Sequence, residues 1–240
     1  MLVLSHRGYH ERVPENTLAA FAEAVDLGVD GIETDLRVSA DGQIVLFHDR
    51  HARDGRAVRD LTRAELSAAM GFEVPTLDEA LNGFPEIIWN LEIKVPEALD
   101  AAIAAVRQRT APEASAPGRF VLTSFWHNVV VAGAEQLSAP WGLLTADRTL
   151  ELPAPLNELP VLAQSRGDQA KPGAGGALAS SGLKTIVWYY ETLDAALLTA
   201  ATERGVHNWV YGAKTQAELL RCRELGCDAV IADRPEWALK

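Results

Sequence analysis

"ENTLAAFAEAVDLGVDGIETDL" (residues 15–36) reads as a helix that stops and hands the chain to a strand. Leu18, Phe21 and Val25 recur at helical spacing, and Gly28 follows as the residue that accepts a left-handed helix end. "DGIETDL" (30–36) then has the look of a short β run. The same unit recurs along the chain: "PEALDAAIAAVRQR", "TLDAALLTAATERG" and "TQAELLRCRELG" are helical patterns, the last two ending in Gly205 and Gly226. Between the helices lie LVLSH (2–6), DGIETDL (30–36), IIWNLEIK (87–94), RFVLTSF (119–125), PWGLLT (140–145), LKTIVWYY (183–190), VHNWVY (206–211) and DAVIAD (228–233).

Those eight β runs alternate with helices over 240 residues. That predicts an α/β fold, a (β/α)8 TIM barrel, for which roughly 250 residues is typical. A doubly wound open sheet is the alternative. Residues 1–240 read as one domain, with two breaks in the pattern at 50–75 and 147–182. Within the second, "KPGAGGALASSG" (171–182) reads as a flexible loop, either a lid or a long connection.

Lys and Arg number 22 against 33 Asp and Glu, a formal charge of -11. The overall field repels polyanions, which argues against nucleic acid or an acidic membrane as the main partner. A small anionic substrate stays feasible only where a cation or local Arg and Lys reverse that field. The two cysteines, Cys222 and Cys227, match neither a C-x-x-C pair nor a disulfide framework and read as small core residues. "MLVLSHRGYHER" lacks the basic and apolar regions of a signal peptide, and no apolar run approaches the length of about 18 residues that spans a bilayer. The expectation is a soluble cytoplasmic protein with no stable membrane association, either monomer or homodimer.

The second β run carries Glu33 and Asp35 on one face and continues as "LRVSADGQIVLFHD". Asp41-Gly42 is a two-residue hairpin signal, because both central positions of a type I′ turn take positive φ. That turn pairs residues 38 with 45, 36 with 47 and 35 with 48, so a β-hairpin extension of strand 2 returns His48 opposite Asp35. A slip of one residue would send His48 to the other face. Asp49, beside it, reads as a brace for the loop.

Two adjacent buried carboxylates repel, and burial makes each harder to ionise; a hard divalent cation relieves both penalties. Oxygen ligands suit Mg²⁺ or Ca²⁺. The alternative for an isolated E-x-D is a surface hairpin with two solvated acids. Other strand ends add to the pattern: Ser5-His6-Arg7-Gly8 closes the first, and Glu92 and Lys94 close "IIWNLEIK". C-terminal strand ends meet at one face of a barrel, where Glu33, Asp35 and Glu92 could ligate one metal and Arg7 with Lys94 could hold a phosphate.

These residues resemble the glycerophosphodiester phosphodiesterase family, a (β/α)8 branch of the phosphatidylinositol-specific phospholipase C-like phosphodiesterases. The resemblance rests on "HRG" (6–8), "PENT" (14–17), E-x-D at Glu33 and Asp35, "DG" then "HD" (41–49), "PTLDEAL" (75–81), "EIK" (92–94), Ser124-Phe125 and "ADRP" (232–235). It implies that Glu33, Asp35 and Glu92 bind one divalent metal, Mg²⁺ or Ca²⁺, and that His6 and His48 are the general acid and base. It further implies that Arg7 and Lys94 contact the phosphoryl oxygens, and that Asn16, Phe125 and Trp209 belong to the substrate pocket. The implied activity is metal-dependent hydrolysis of glycerophosphodiesters to sn-glycerol 3-phosphate and an alcohol. Lysophospholipids or other larger phosphodiesters are the second reading, with Phe72, Trp126, Trp188, Tyr189 and Tyr190 as candidate apolar contacts. A non-catalytic barrel that binds a phosphorylated ligand is the third.

The chain departs from the family pattern at two places. "RHARDGRAVRD" follows His48-Asp49 where an Arg-Thr-Thr-like segment is common, so the insertion at 50–75 looks abbreviated. Trp209-Val210-Tyr211-Gly212 stands where Trp-Thr-Val-Asn is usual.

Overall fold

The computed structural model describes residues 1–110, 119–159, 161 and 182–239. Among these, β1 (Leu2–His6), β2 (Gly31–Val38), β4 (Ile88–Ile93), β5 (Phe120–Ser124), β6 (Trp141–Leu144), β7 (Leu183–Tyr189), β8 (His207–Tyr211) and β9 (Ala229–Ala232) are parallel, and β3 (Ile44–Leu46) lies antiparallel on β2. β1 pairs with both β2 and β9, which closes the sheet into a barrel and excludes the open, doubly wound alternative. Each of the eight parallel strands falls within one of the β runs read from the sequence, apart from β2, which extends to Val38. The 171–182 stretch, expected to be a loop, lies outside the described residues except for Gly182.

Local chemistry accounts for the helices. In α1 (Leu18–Leu27), the Thr17 side chain accepts from the Ala20 N–H, and Gly28 closes the last turn at φ 85°. α2 (Arg63–Met70), α3 (Leu77–Gly83) and the last helix, α8 (Gln216–Glu224), each start with a complete capping box, Thr62 with Glu65, Thr76 with Glu79 and Thr215 with Glu218. Between them run α4 (Leu99–Arg109), α5 (His127–Gln136), the short α6 (Ala154–Asn157) and α7 (Ala195–Thr202). No described helix is long and apolar enough to cross a membrane.

Three apolar clusters divide the interior. The largest lies between helices and strands and includes Phe21, set edge-on to Trp89 at 5.2 Å. A second fills the barrel axis with Leu4, Val121, Leu144, Val187, Trp209 and Ile231. A third sits beneath the 50–75 segment, where Val45, Phe47, Ala52, Val58, Leu61, Leu66 and Val74 pack together.

The hairpin register differs from the sequence-based expectation by one residue. Leu36 pairs with Leu46, Arg37 with Val45 and Val38 with Ile44, so Asp35 faces Phe47 rather than His48. The loop has three residues, Ala40-Asp41-Gly42, and of these only Gly42 takes positive φ. This is the three-residue hairpin that ends in a left-handed residue, whereas type I′ needs two positive φ values. The Asp41 carboxylate is tied to Ser39 Oγ at 2.6 Å, Gln43 Nε2 at 2.7 Å and the Arg63 N–H at 3.1 Å, contacts that favour the wider loop. The regular strand ends at Leu46, and His48 reaches the barrel mouth from the loop beyond it.

Packing between α5 and β6 leaves no spare volume. A methyl group at Gly133 would fall 2.1 Å from Cη2 of the buried Trp141 ring. Gly133→Ala is therefore expected to cost about 1–3 kcal/mol, the usual range for overpacking. Gly83→Ala, where an added methyl meets nothing within 4 Å, is the control. Urea unfolding of the two variants checks the contrast, and equal midpoints would refute it.

Candidate active site

Strand ends place the charged groups. Pairing sets His6 beside Glu33 and Asp35 beside Glu92, so β1, β2 and β4 deliver their ionisable residues to one level of the barrel mouth. A cavity of about 360 Å³ opens there, lined by His6, Arg7, Glu33, His48, Glu92 and Lys94 on one side and by Phe125, Leu144, Tyr189, Tyr211 and Ile231 on the other.

Glu33, Asp35 and Glu92 are 3%, 0% and 8% exposed, and ligand oxygens from all three lie within 4.8 Å of one another. Burial pushes the Glu33 carboxyl well up, and the neighbouring charges of Asp35 and Glu92 push it further. Glu92 is raised by burial and by Asp35. Burial acts the same way on Asp35, but Arg7 and Lys94 outweigh it and hold that carboxyl below its usual range. Arg7 Nε stands 3.0 Å from Asp35 Oδ2, and Lys94 Nζ stands 2.7 Å from Glu92 Oε1 and 3.4 Å from Asp35 Oδ1.

The triad fits a hard divalent ion. Its donors are all oxygens, they converge from two adjacent strands, and Glu33 Oε1 is buried without a hydrogen-bond partner. Three carboxylates against two cations also leave a negative balance that a bound cation would offset.

Each histidine is held at Nδ1 by an acid. His6 Nδ1 lies 2.5 Å from Asp233 Oδ1, and Asp233 Oδ2 accepts from Lys214 Nζ at 2.9 Å. The hydrogen bond with His6 is the main reason that the Asp233 carboxyl sits below the normal carboxylate range. Burial lowers the His6 pKa, and Asp233 opposes that shift without cancelling it. His48 Nδ1 lies 2.8 Å from Asp49 Oδ1. An acid on Nδ1 keeps the proton there in the neutral ring and leaves Nε2 as the free nitrogen; for His6 that nitrogen is 3.7 Å from Glu33 Oε2.

Among the other residues singled out from the sequence, Phe125 lines the cavity at 42% exposure, with Lys94 Nζ 6.0 Å from its ring centre. Asn16 is buried behind Asp35, not at the cavity wall. Its Nδ2 donates to Asp35 Oδ2 at 2.9 Å and its Oδ1 accepts from the Thr34 hydroxyl at 2.7 Å, with the backbone at φ 54°. Glu15 pairs with Arg7 Nη1 at 2.9 Å. Trp209 is packed in the axial cluster and does not line the cavity.

Sequence reasoning missed three participants. Asp233 stood in "ADRP" at the last strand end without a role, although β1 and β9 are neighbours through barrel closure. Lys214, in the loop before α8, lines the cavity beside it. Arg37, only 7% exposed, donates through Nε and Nη2 to the His48 carbonyl at 2.9 and 2.6 Å. Only the contact of Arg37 with the loop reveals its role; its sequence neighbours give no signal for it.

The sequence profile of the glycerophosphoryl diester phosphodiesterase family matches residues 6–237. A glycerophosphodiester phosphodiesterase of Caldanaerobacter subterraneus subsp. tengcongensis is 36% identical over 142 residues, which cover 52% of this chain and 58% of that protein. The chain spans about half the length of several curated relatives it matches. The crystal structure of a glycerophosphodiester phosphodiesterase from Thermotoga maritima superimposes with a TM-score of 0.75 at 24% identity, over 100% of this chain and 96% of that one. An Oleispira antarctica phosphodiesterase, solved with the product sn-glycerol-3-phosphate, gives a TM-score of 0.75 at 22% identity over 100% and 95% of the two chains. The two structural likenesses carry the fold.

Two stability effects follow from the buried polar network. Asn16→Gly keeps a left-handed backbone accessible while removing the partner of Asp35 and Thr34, and is expected to cost about 1–3 kcal/mol in urea unfolding. Glu33→Gln removes one of three crowded charges. It is expected to raise the melting temperature of EDTA-treated protein, and a lower value would contradict the repulsion described above.

Proposed function

We propose, from the premise that the chain belongs to the glycerophosphoryl diester phosphodiesterase family, that it hydrolyses glycerophosphodiesters to sn-glycerol 3-phosphate and an alcohol. The observation that carries this reading is one cavity lined by Glu33, Glu92, Arg7, Lys94 and two histidines each oriented by an aspartate, with the buried Asp35 completing the carboxylate triad behind the wall. A binding module has no need of two such histidines, which disfavours the non-catalytic alternative.

Glu33, Asp35 and Glu92 would hold the divalent ion, Mg²⁺ or Ca²⁺, which when bound supplies positive charge against the phosphoryl oxygens. Lys94 and Arg7 already stand on those carboxylates, so their ammonium and guanidinium groups face the same space and add to that neutralisation. One histidine takes the proton from the attacking oxygen, whether water or the 2-hydroxyl of the glycerol. The other returns a proton to the leaving alkoxide as its bond to phosphorus breaks. Asp233 and Asp49 keep both rings turned with Nε2 free for these transfers.

Lysophospholipids are the second reading, favoured by the exposed Trp126 beside Phe125 at the mouth. Of the other candidate apolar contacts, Tyr189 lines the cavity, Trp188 is buried in the wall and Phe72 packs with the 50–75 segment.

Release of glycerol 3-phosphate from glycerophosphocholine is expected to stop with EDTA and to return with Mg²⁺ or Ca²⁺. His6→Ala and His48→Ala are each expected to lower kcat by roughly 10²- to 10⁴-fold, the usual contribution of a positioned acid or base. Near-normal turnover in either variant would sink its role. Lysophosphatidylcholine as the better substrate would favour the second reading.

A further inference from the structure

The site has a second lobe. A cavity of about 340 Å³ adjoins the first, and His48, Glu92, Lys94 and Phe125 line both, so they form the ridge between the two spaces. Beyond the ridge the lining changes character and is made by Arg37, Asp49, Arg50, Ile93 and Trp126.

The two arginines are the unusual part. Arg37 is nearly buried, and among the described residues its guanidinium hydrogen-bonds only to the His48 carbonyl, through Nε and Nη2, while the charges of Asp35, Asp49 and Glu92 act on it without direct contact. Arg50 is exposed at the rim and is also not paired with a carboxylate there. Elsewhere in the site the cations are matched, Arg7 by Glu15 and Asp35, Lys94 by Glu92, and Lys214 by Asp233. Of the acids that share the lobe, Glu92 is paired with Lys94, and Asp49 is hydrogen-bonded to the His48 ring and keeps its charge. In a chain of net charge -11, a lobe lined by Arg37, Arg50 and Lys94 against Asp49 and Glu92, with neither arginine in a salt bridge among the described residues, is a local reversal of sign. A guanidinium fork suits carboxylate or phosphate oxygens.

We infer that this lobe receives the alcohol arm of the diester and selects alcohols that carry an anionic group, a carboxylate or a phosphate, through Arg37 and Arg50. The inference rests on the phosphodiesterase reading above. The scissile phosphate sits over the ridge beside His48 and Lys94, the glycerol arm lies in the lobe of Phe125, Leu144, Tyr189, Tyr211 and Ile231, and the other arm turns toward the arginines. Arg37 thereby has two jobs, since it also fixes the loop that carries His48.

Glycerophosphoserine and glycerophosphoethanolamine differ by a single carboxylate and provide the test. The wild-type kcat/KM is expected to favour glycerophosphoserine roughly tenfold or more, the effect of one charge-assisted hydrogen bond. Arg50→Ala is expected to bring the ratio of the two substrates close to one, whereas Arg59→Ala, the same charge change at an exposed site away from the cavities, leaves the ratio as it was. Equal kcat/KM for the two diesters in the wild type, or a ratio indifferent to Arg50→Ala, would overturn the subsite. If neither diester nor glycerophosphocholine is hydrolysed, the phosphodiesterase reading fails separately. Calorimetric binding of the same two diesters then decides the subsite, tighter glycerophosphoserine sustaining it and equal affinities removing it.

Discussion

Three buried carboxylates whose ligand oxygens lie within 4.8 Å of one another are the constraint around which the barrel mouth is arranged. Their mutual repulsion and lost hydration would expel them from a low-dielectric interior unless positive charge is brought close. Arg7 and Lys94 meet part of that demand, and Asn16 fixes the Asp35 carboxylate with a neutral amide donor. Glu33 Oε1 is left without a partner, and the site as a whole keeps a negative balance. An arrangement that is costly as pure architecture fits the divalent-cation site proposed above.

The histidines obey a different logic. Neither is a free surface imidazole; each has its Nδ1 fixed by an aspartate from its own side of the mouth, Asp233 from the end of β9 and Asp49 from the loop after β3. The backbone of His48 is gripped in addition by Arg37, whose buried guanidinium ties the loop to β2. The loop can therefore hold the proposed acid or base in place although it is outside the barrel ladder. Position here comes from side chains reaching between elements, with the 50–75 cluster supporting the loop from below.

Much of the site was readable before folding because it sits on strand periodicity. Glu33 with Asp35, and Glu92 with Lys94, are two residues apart, and a strand puts such residues on one face whatever it packs against. His6-Arg7 follows the first β run directly. His48 was placed beside the acids from an assumed two-residue turn. It lines the cavity, but by another route: the observed register opposes Phe47 to Asp35, and the turn of the chain beyond Phe47 brings His48 to the cavity. Trp209 illustrates the limit from the other direction, since alternation places it inward but does not say at what depth of the barrel it lies.

The sequence by itself determined the strand and helix units, their caps and the strand-end acids, because propensity, side-chain period and capping bonds act over a few neighbouring residues. Only the tertiary structure decided the hairpin register, the union of His6 with Asp233 across 227 positions of chain, the grip of Arg37 on His48 and the two-lobed cavity. Those features depend on closure of β1 against β9 and on which of several turn geometries the Asp41 contacts favour. They are settled by the energy of the whole packed arrangement, to which no single stretch of chain holds the key.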